Sequence, residues 1–255
     1  MNMTMKKNLK KIYIATASLM MLTAIACAPV VETTQSAPAV DVSEQGSEAA
    51  EQPHLAAVID TENGLTEAEM QGLLWMREEE KLAGDVYRFL YDQWGSTVFS
   101  NIAESEDMHT DSVLALLTAY GIEDPANAEA GQFSDPELQA LYDQLTAQGS
   151  QSLEAAYMVG GAIEEIDILD LETRIAETDK ADILLVYENL MAGSENHLRA
   201  FVRVYENQIR QNYAHQYLTQ ERYDGIIAGG SSMGNGIGGQ GGGQGYGQGA
   251  GQGKP

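Results

Sequence analysis

The sequence predicts an all-α fold: an antiparallel four-helix bundle with one long crossover that carries a short helix. Three observations lead there. Between Leu65 and about Asp224, apolar residues recur with a period of 3.6, and glycine and proline are scarce. The links after the first and third long helices are only two or three residues, so each of those pairs must form an antiparallel hairpin. The link between the pairs runs to about 30 residues.

The elements follow in order. Thr66-Glu-Ala-Glu69 is a capping box that opens the first helix, and Gly95 stops it after Trp94. The second helix runs from near Ser96 to Tyr120, before Gly121. The crossover holds Pro125, Gly131 and Gly149, with a short helix capped by Ser134-Asp-Pro-Glu137. The third long helix runs from about Ser152 to Thr178, and Asp179 caps a fourth that reaches about Tyr213. Two hairpins joined by one long crossover is the ferritin-like topology.

The two ends do not carry this pattern. Residues 1–27 place Lys6, Lys7, Lys10 and Lys11 before an apolar run from Ile12 to Ala26 and then the only cysteine, Cys27. A basic region, a short apolar region and small residues before a cut describe a secretory leader. The apolar run is short for a spanning helix, which needs about 20 residues. Leu22-Thr-Ala-Ile-Ala26-Cys27 resembles the lipobox of bacterial lipoproteins, with Ala24 where a branched residue is usual. Cys27 is therefore the expected lipidation site, and the protein is expected to be exported and tethered to a membrane of the bacterial cell envelope. One cysteine allows no disulfide within the chain.

Residues 28–64 hold three of the six prolines among Ser, Thr, Ala, Glu and Gln, the composition of a disordered tether. Residues 225–255 hold 15 of the 26 glycines, interleaved with Gln, and are expected to be a disordered tail. The bundle domain is thus expected over 65–224. His54 and both tails carry no site expectation.

The formal charge is −24; removing the leader takes away four lysines and no acids, leaving 10 basic residues against 38 acidic ones, or −28. Such a surface disfavours nucleic acid and anionic lipid and attracts cations. Solubility alone would also account for much of it.

The inward stripes carry the chemistry. On the first helix the stripe reads Leu73, Met76, Glu80, Ala83, Tyr87, Leu90, with a neighbouring stripe Trp75, Glu79, Leu82, Val86 that makes Glu79 a rival for the inward position. Glu78 and Glu79 are expected to face mostly water. On the second helix it reads Phe99, Ile102, Glu106, His109, Val113, Leu116. The third gives Tyr157, Gly161, Glu164, Ile168, Leu171, Ile175, with Glu165 and Asp167 close by; the fourth gives Leu190, Ser194, His197, Phe201, Val204. Each helix thus carries an ionisable residue at mid-length on its core side.

Burying several charges costs several kcal/mol each unless something compensates. Three or four carboxylates and two histidines, with no Lys or Arg expected in the core, cannot neutralise one another. Two divalent cations can, and a Glu with Glu-x-x-His on facing helices suits iron or manganese. Residues at i and i+3 share a helix face, so Glu106 and His109 can grip one ion together. Taken singly, each piece has an ordinary reading. Glu-x-x-His arises by chance, His197 alone is a satisfied core histidine, the Met residues fill space, and Trp75 and Trp94 pack.

Glu80-Lys-Leu-Ala-Gly-Asp-Val-Tyr87 resembles the first-helix motif of ferritins and rubrerythrins, in which a ligand Glu is followed seven residues later by Tyr. Glu106-Asp-Met-His109 resembles their second-helix Glu-x-x-His. Met76-Arg-Glu-Glu-Glu-Lys-Leu-Ala83, Ile163-Glu-Glu-Ile-Asp-Ile-Leu-Asp-Leu171 and Gly193-Ser-Glu-Asn-His-Leu-Arg-Ala-Phe201 are similar to an uncharacterised ferritin-like family, the DUF2202 domain of unknown function. The similarity spans about 66–213 and implies the bundle fold, but no established activity. The chain departs from rubrerythrins on the fourth helix, where Ser194 stands three residues before His197 in place of a second Glu. Glu165 or Asp167 supplies the missing carboxylate, or the site holds one ion, or there is none. Glu164 and Glu165 both border apolar neighbours and are not ranked by the pattern.

The expected ligands are therefore Glu80, Glu106, His109, Glu164 or Glu165, and His197, around two iron or manganese ions, with Tyr87 beside them as a redox or supporting residue. The leading expectation is a di-iron or di-manganese oxidoreductase acting on peroxide, dioxygen or ferrous iron. The alternatives are a metal-buffering module without turnover and a metal-free structural bundle. Calcium on Asp167, Asp170 and Glu172 is disfavoured, since i, i+3 and i+5 do not converge on one helix. The expected partners are divalent metal ions, a membrane through the N-terminal lipid, and a second copy of the chain in a homodimer, with no nucleic acid.

Overall fold

The computed structural model describes residues 59, 61 and 63–233. The leader with Cys27, nearly all of the 28–64 tether including His54, and the tail beyond 233 lie outside the described residues.

Six helices follow one another: α1 Glu67–Trp94, α2 Thr97–Ala119, α3 Pro136–Gly149, α4 Leu153–Ile175, α5 Ala181–Ile209 and α6 Gln220–Met233. Among the described residues there is no strand. α1 packs along α2 and α4 along α5; α2 meets α5 and α1 meets α4, which closes the four long helices into a bundle. α3, inside the crossover, covers α1 and α4, and α6 lies on α5. No described helix is long and apolar enough to cross a membrane.

The local signals act as read. Thr66 Oγ1 accepts from the Glu69 amide at 3.2 Å while the Glu69 carboxylate accepts from the Thr66 amide at 2.7 Å. Glu69 also accepts from the Thr178 hydroxyl at 2.7 Å, which pins the α4–α5 turn to the start of α1. Gly95 adopts the left-handed conformation at φ 66° and returns its amide to the Tyr91 carbonyl at 2.7 Å, ending α1. Asp135 caps α3 through the Glu137 amide with Pro136 in the first turn, and Ser152 caps α4 through the Ala155 amide.

Three boundaries differ. The residue at the start of α5 is Lys180, without a side-chain cap, and Asp179 is exposed; the Thr178 hydroxyl instead accepts from the Lys180 amide at 3.1 Å. α5 ends at Ile209, where Arg210 takes the left-handed conformation at φ 64°, so Tyr213 belongs to a returning loop. α6 runs through 225–233, which composition had assigned to the tail. Ile226 is the reason: it is 1% exposed, and its carbonyl accepts from Arg199 Nη1 at 3.0 Å.

The inward stripes form the core as expected, with Leu73, Met76, Tyr87, Leu90, Phe99, Leu116, Ile168 and Phe201 fully enclosed. α4 is buried almost all round, because α1, α3, α5 and the 210–219 loop surround it. A helix enclosed on every side loses the one-sided pattern that ranks its residues.

Candidate metal centre

Glu80 (α1), Glu106 and His109 (α2), Glu164 (α4) and His197 (α5) converge at mid-bundle, each at most 4% exposed. Glu106 is the hub. Its Oε2 lies 2.9 Å from His109 Nδ1 and its Oε1 lies 3.0 Å from His197 Nδ1. Glu80 Oε2 approaches His109 Nδ1 at 3.2 Å, and Glu164 Oε2 approaches His197 Nδ1 at 3.5 Å. Neither contact of His197 Nδ1 has the alignment of a hydrogen bond, and Glu80 Oε1 is buried without a partner. The ligand atoms of Glu106, His109 and His197 all lie within 4.8 Å of one another.

This arrangement fits a pair of cations. The Nδ1 atom of each imidazole faces two carboxylates, and one carboxylate serves both imidazoles, a donor set that suits a carboxylate-bridged pair of transition metals. Supporting contacts hold the donors in place. His197 Nε2 pairs with Ser105 Oγ at 2.9 Å, fixing the ring so that Nδ1 faces inward. A Cβ on Gly193 would lie 2.5 Å from His109 Cε1 and Nε2, so the backbone of α5 comes this close only because position 193 is glycine. A cavity of about 310 Å³, lined by Arg77, Lys81, Gly84, Arg88 and Asp124 among others, reaches Glu80 from outside the bundle.

The electrostatics reflect three carboxylates enclosed with two imidazoles. Burial pushes the Glu80 carboxyl up to about 8, with His109 pulling it back and the Glu106 charge adding to the rise. Burial also works against ionised Glu106, but the imidazoles of His197 and His109 overcome it and hold the group far below the usual carboxylate range. His197 is lifted to about 10: burial opposes its charge, and Glu106 and Glu164 outweigh burial. Burial raises Glu164 above the ordinary range, against the pull of His197.

Tyr87 lies on the Glu164 side. Its hydroxyl donates to Glu164 Oε1 in a short hydrogen bond, and its ring packs against Phe201 with centroids 5.3 Å apart. Burial and the Glu164 charge push its phenol well above the ordinary value, so it is a hydrogen-bond donor at neutral pH.

Glu165 is not in the cluster. It points to the returning loop, where its carboxylate accepts from the Tyr213 hydroxyl at 2.8 Å and from the amides of Gln216, Tyr217 and Leu218 at 2.7, 2.6 and 3.1 Å. Between the two rivals on this helix, Glu164 is therefore the inward one. Gly161, read as a core position, makes room for Tyr213: a Cβ there would lie 2.2 Å from its hydroxyl oxygen.

Two further expectations are corrected. Glu78 and Glu79 do not face water; they are 7% and 9% exposed. Glu79 accepts from Trp75 Nε1 at 2.8 Å, because α1 is covered by α3 and the crossover as well as by its bundle neighbours. The core also contains arginine. Arg77 pairs with Asp124 at 2.8 Å and Arg174 with Glu177 at 3.1 Å. Ser105 and Gly193 were absent from the expected site, since neither carries an ionisable group to flag it; Asp167 was weighed there with Glu165 as the carboxylate that replaces the missing one of the fourth helix.

Residues 69–230 match the family described as "Uncharacterized protein domain (DUF2202)". The chain belongs to this family. Its DUF2202 region is similar to "Uncharacterized protein MJ0754" of Methanocaldococcus jannaschii, 49% identical over 171 residues that cover 67% of this chain and 92% of the relative. Among solved structures it is similar to the crystal structure of hypothetical protein MJ0754 from Methanococcus jannaschii, with 50% identity and a TM-score of 0.63 over 64% of this chain and 94% of that one. The match to residue 230 takes in most of α6, in keeping with the buried position of Ile226.

Proposed function

We propose that this DUF2202 protein binds two divalent transition-metal ions, iron or manganese, at mid-bundle and uses them as an oxidoreductase on peroxide, dioxygen or ferrous iron. The observation that carries the reading is the position of Glu106, with one carboxylate oxygen against each of two histidine Nδ1 atoms. Glu80 and His109 would hold one ion, Glu164 and His197 the other, and Glu106 both. The ions supply one-electron redox chemistry and a Lewis-acidic site for a small oxidant. Tyr87 fixes the orientation of Glu164 and keeps a proton beside it. The aromatic layer of Tyr87, Phe99 and Phe201 excludes water from that side, and the cavity at Glu80 offers a small molecule a way in. The reading extends to the envelope: a lipid on Cys27 would hold the domain at a membrane.

The test is metal content and turnover. Protein purified without chelator should carry about two ions per chain, and Glu106→Ala, which removes the shared ligand, should lose both. The loaded protein should consume peroxide or oxidise ferrous iron. Bound metal without turnover would leave a metal-buffering module. Near-zero iron, manganese and zinc, with no thermal shift on adding any of them, would leave a metal-free structural bundle.

A further inference from the structure

Asp167 stands on α4 one turn beyond Glu164, and its partner across the helix pair is Ser194 on α5, one turn before His197. α4 and α5 run antiparallel, so the two pairs form successive rungs: Glu164 with His197, then Asp167 with Ser194. Asp167 Oδ2 accepts from the Ser194 hydroxyl, which fixes the carboxylate plane. Its Oδ1 is buried with no partner at all, in a residue 6% exposed.

A carboxylate oxygen enclosed in this way costs several kcal/mol unless something meets it. No cation is among the groups that bear most on it. After burial itself, the charges of Glu80, Glu79 and Glu164 press on Asp167, and with the Ser194 hydrogen bond as the main relief its carboxyl is pushed well above the usual range. Glu80, the carboxylate that acts on it most strongly, has an oxygen in the same condition: Oε1 is buried without a partner. Two orphaned carboxylate oxygens on facing helices, with the His109–Glu106 pair beside Glu80, describe an incomplete ligand set rather than a packed core.

We infer that Asp167 is a further metal ligand, completing with Glu80, Glu106 and His109 the ion position on that side, and that Ser194 is its positioning residue. This rests on the two-ion reading above. The four carboxylates Glu80, Glu106, Glu164 and Asp167 then balance two divalent ions, and both histidines bind neutral. Asp167 thereby takes over from α4 the carboxylate that Ser194 does not supply from α5.

The experiment is a manganese titration of the full chain, with metal analysis and thermal unfolding before and after loading. It compares the wild type, Asp167→Asn and Ser194→Ala. Asparagine still accepts from Ser194 but carries no charge. Asp167→Asn should therefore bind one ion instead of two, with the metal-free melting temperature unchanged or raised. Ser194→Ala should keep both ions but bind the second about 10–100-fold more weakly, the size expected for loss of a ligand's supporting contact, and its metal-free melting temperature should fall because Asp167 Oδ2 loses its hydrogen bond. If Asp167→Asn binds two ions with wild-type affinity, the assignment of Asp167 falls while the metal centre stands. If Asp167→Asn lowers the metal-free melting temperature as much as the loaded one, its role is structural and the assignment also falls. If the wild type binds no manganese, the assignment falls together with the metal reading.

Discussion

His109 and His197 face each other across the bundle core with ring centroids 5.4 Å apart and an interplanar angle of 28°, and Glu106 lays one oxygen against the inner nitrogen of each. The two rings come from different hairpins, so the relationship exists only in the assembled bundle.

That symmetry sets the first prediction. His109→Ala and His197→Ala should each reduce bound metal from about two ions to about one, and each should shrink the rise in melting temperature on metal addition. His215 is the control. Its Nε2 meets Gln220 Oε1 at 3.1 Å in the returning loop, away from the cluster, so His215→Ala should load like the wild type. Metal analysis with a thermal shift assay reads all three. Equal loading across the set would count against the site.

The second prediction concerns pH. In the metal-free fold Glu80 titrates near 8 against an ordinary value of 4.5, so the folded state keeps a proton that the unfolded chain releases, and stability falls as pH rises from about 4.5 through 8. His197 titrates near 10 against 6.5, so its contribution is full below about 6.5 and is lost as pH rises toward 10. Glu106, held low, gives a contribution that is complete above about 4.5 and constant over this interval. The melting temperature of chelator-treated protein should therefore drop between pH 6.5 and 8. Apparent manganese affinity should climb over the same interval, since ion binding displaces these protons. A melting temperature that stays level or rises from 6.5 to 8 would contradict the assignment.

Gly193→Ala tests the close approach at His109. A Cβ 2.5 Å from two ring atoms must push the imidazole or the helix aside, at a cost of about 1–3 kcal/mol. Loading should weaken along with stability, because His109 Nδ1 leaves its position between Glu80 and Glu106. Calorimetry and metal titration of the variant would show both effects or neither.

Glu165→Ala should behave in the opposite way. It removes the acceptor of three backbone amides and one phenol, so the fold should lose at least about 2 kcal/mol while the number of ions bound stays the same. A fragment ending at 215 should be destabilised for the same reason, and one spanning 65–233 should not. Denaturant unfolding of the three proteins, with metal counts, separates a structural carboxylate from a ligand.

On the proposed lipid anchor, Cys27→Ala should leave the protein unattached to membranes, as read by fractionation and by the mass of the mature amino terminus. Undiminished membrane association would remove the lipid anchor from the proposal.

Much of the bundle was legible because helix periodicity and capping are local. Thr66, Gly95, Asp135 and Ser152 act within a turn of themselves, and the stripes of α2 and α5 each have one dry side. For the same reason Glu80, Glu106, His109 and His197 could be found: a charge in an apolar stripe is conspicuous. α4 carries no such signal. It is enclosed on every side, and what separates Glu164 from Glu165 is a loop some 50 residues later whose amides claim one of them. Asp167 was obscured in the same way, its meaning depending on which residue of α5 faces it. The terminal helix was hidden by its glycines, since a single enclosed isoleucine leaves no periodic trace.

The division of the cluster between hairpins has a mechanical consequence. Glu80, Glu106 and His109 belong to the α1–α2 pair; Glu164, Asp167 and His197 belong to the α4–α5 pair; residues 120–152 are the long tether between them. Each hairpin is closed by its own tight turn, while the core they share is formed only where the two pairs meet. Glu80, Glu106, Glu164 and Asp167 are buried along the plane where the pairs meet, so that plane is expected to part first in an empty bundle. Amide protons on the facing sides of α1 and α4 should then exchange through a common book-like opening. A cation seated between the pairs acts as the clasp that keeps the covers shut.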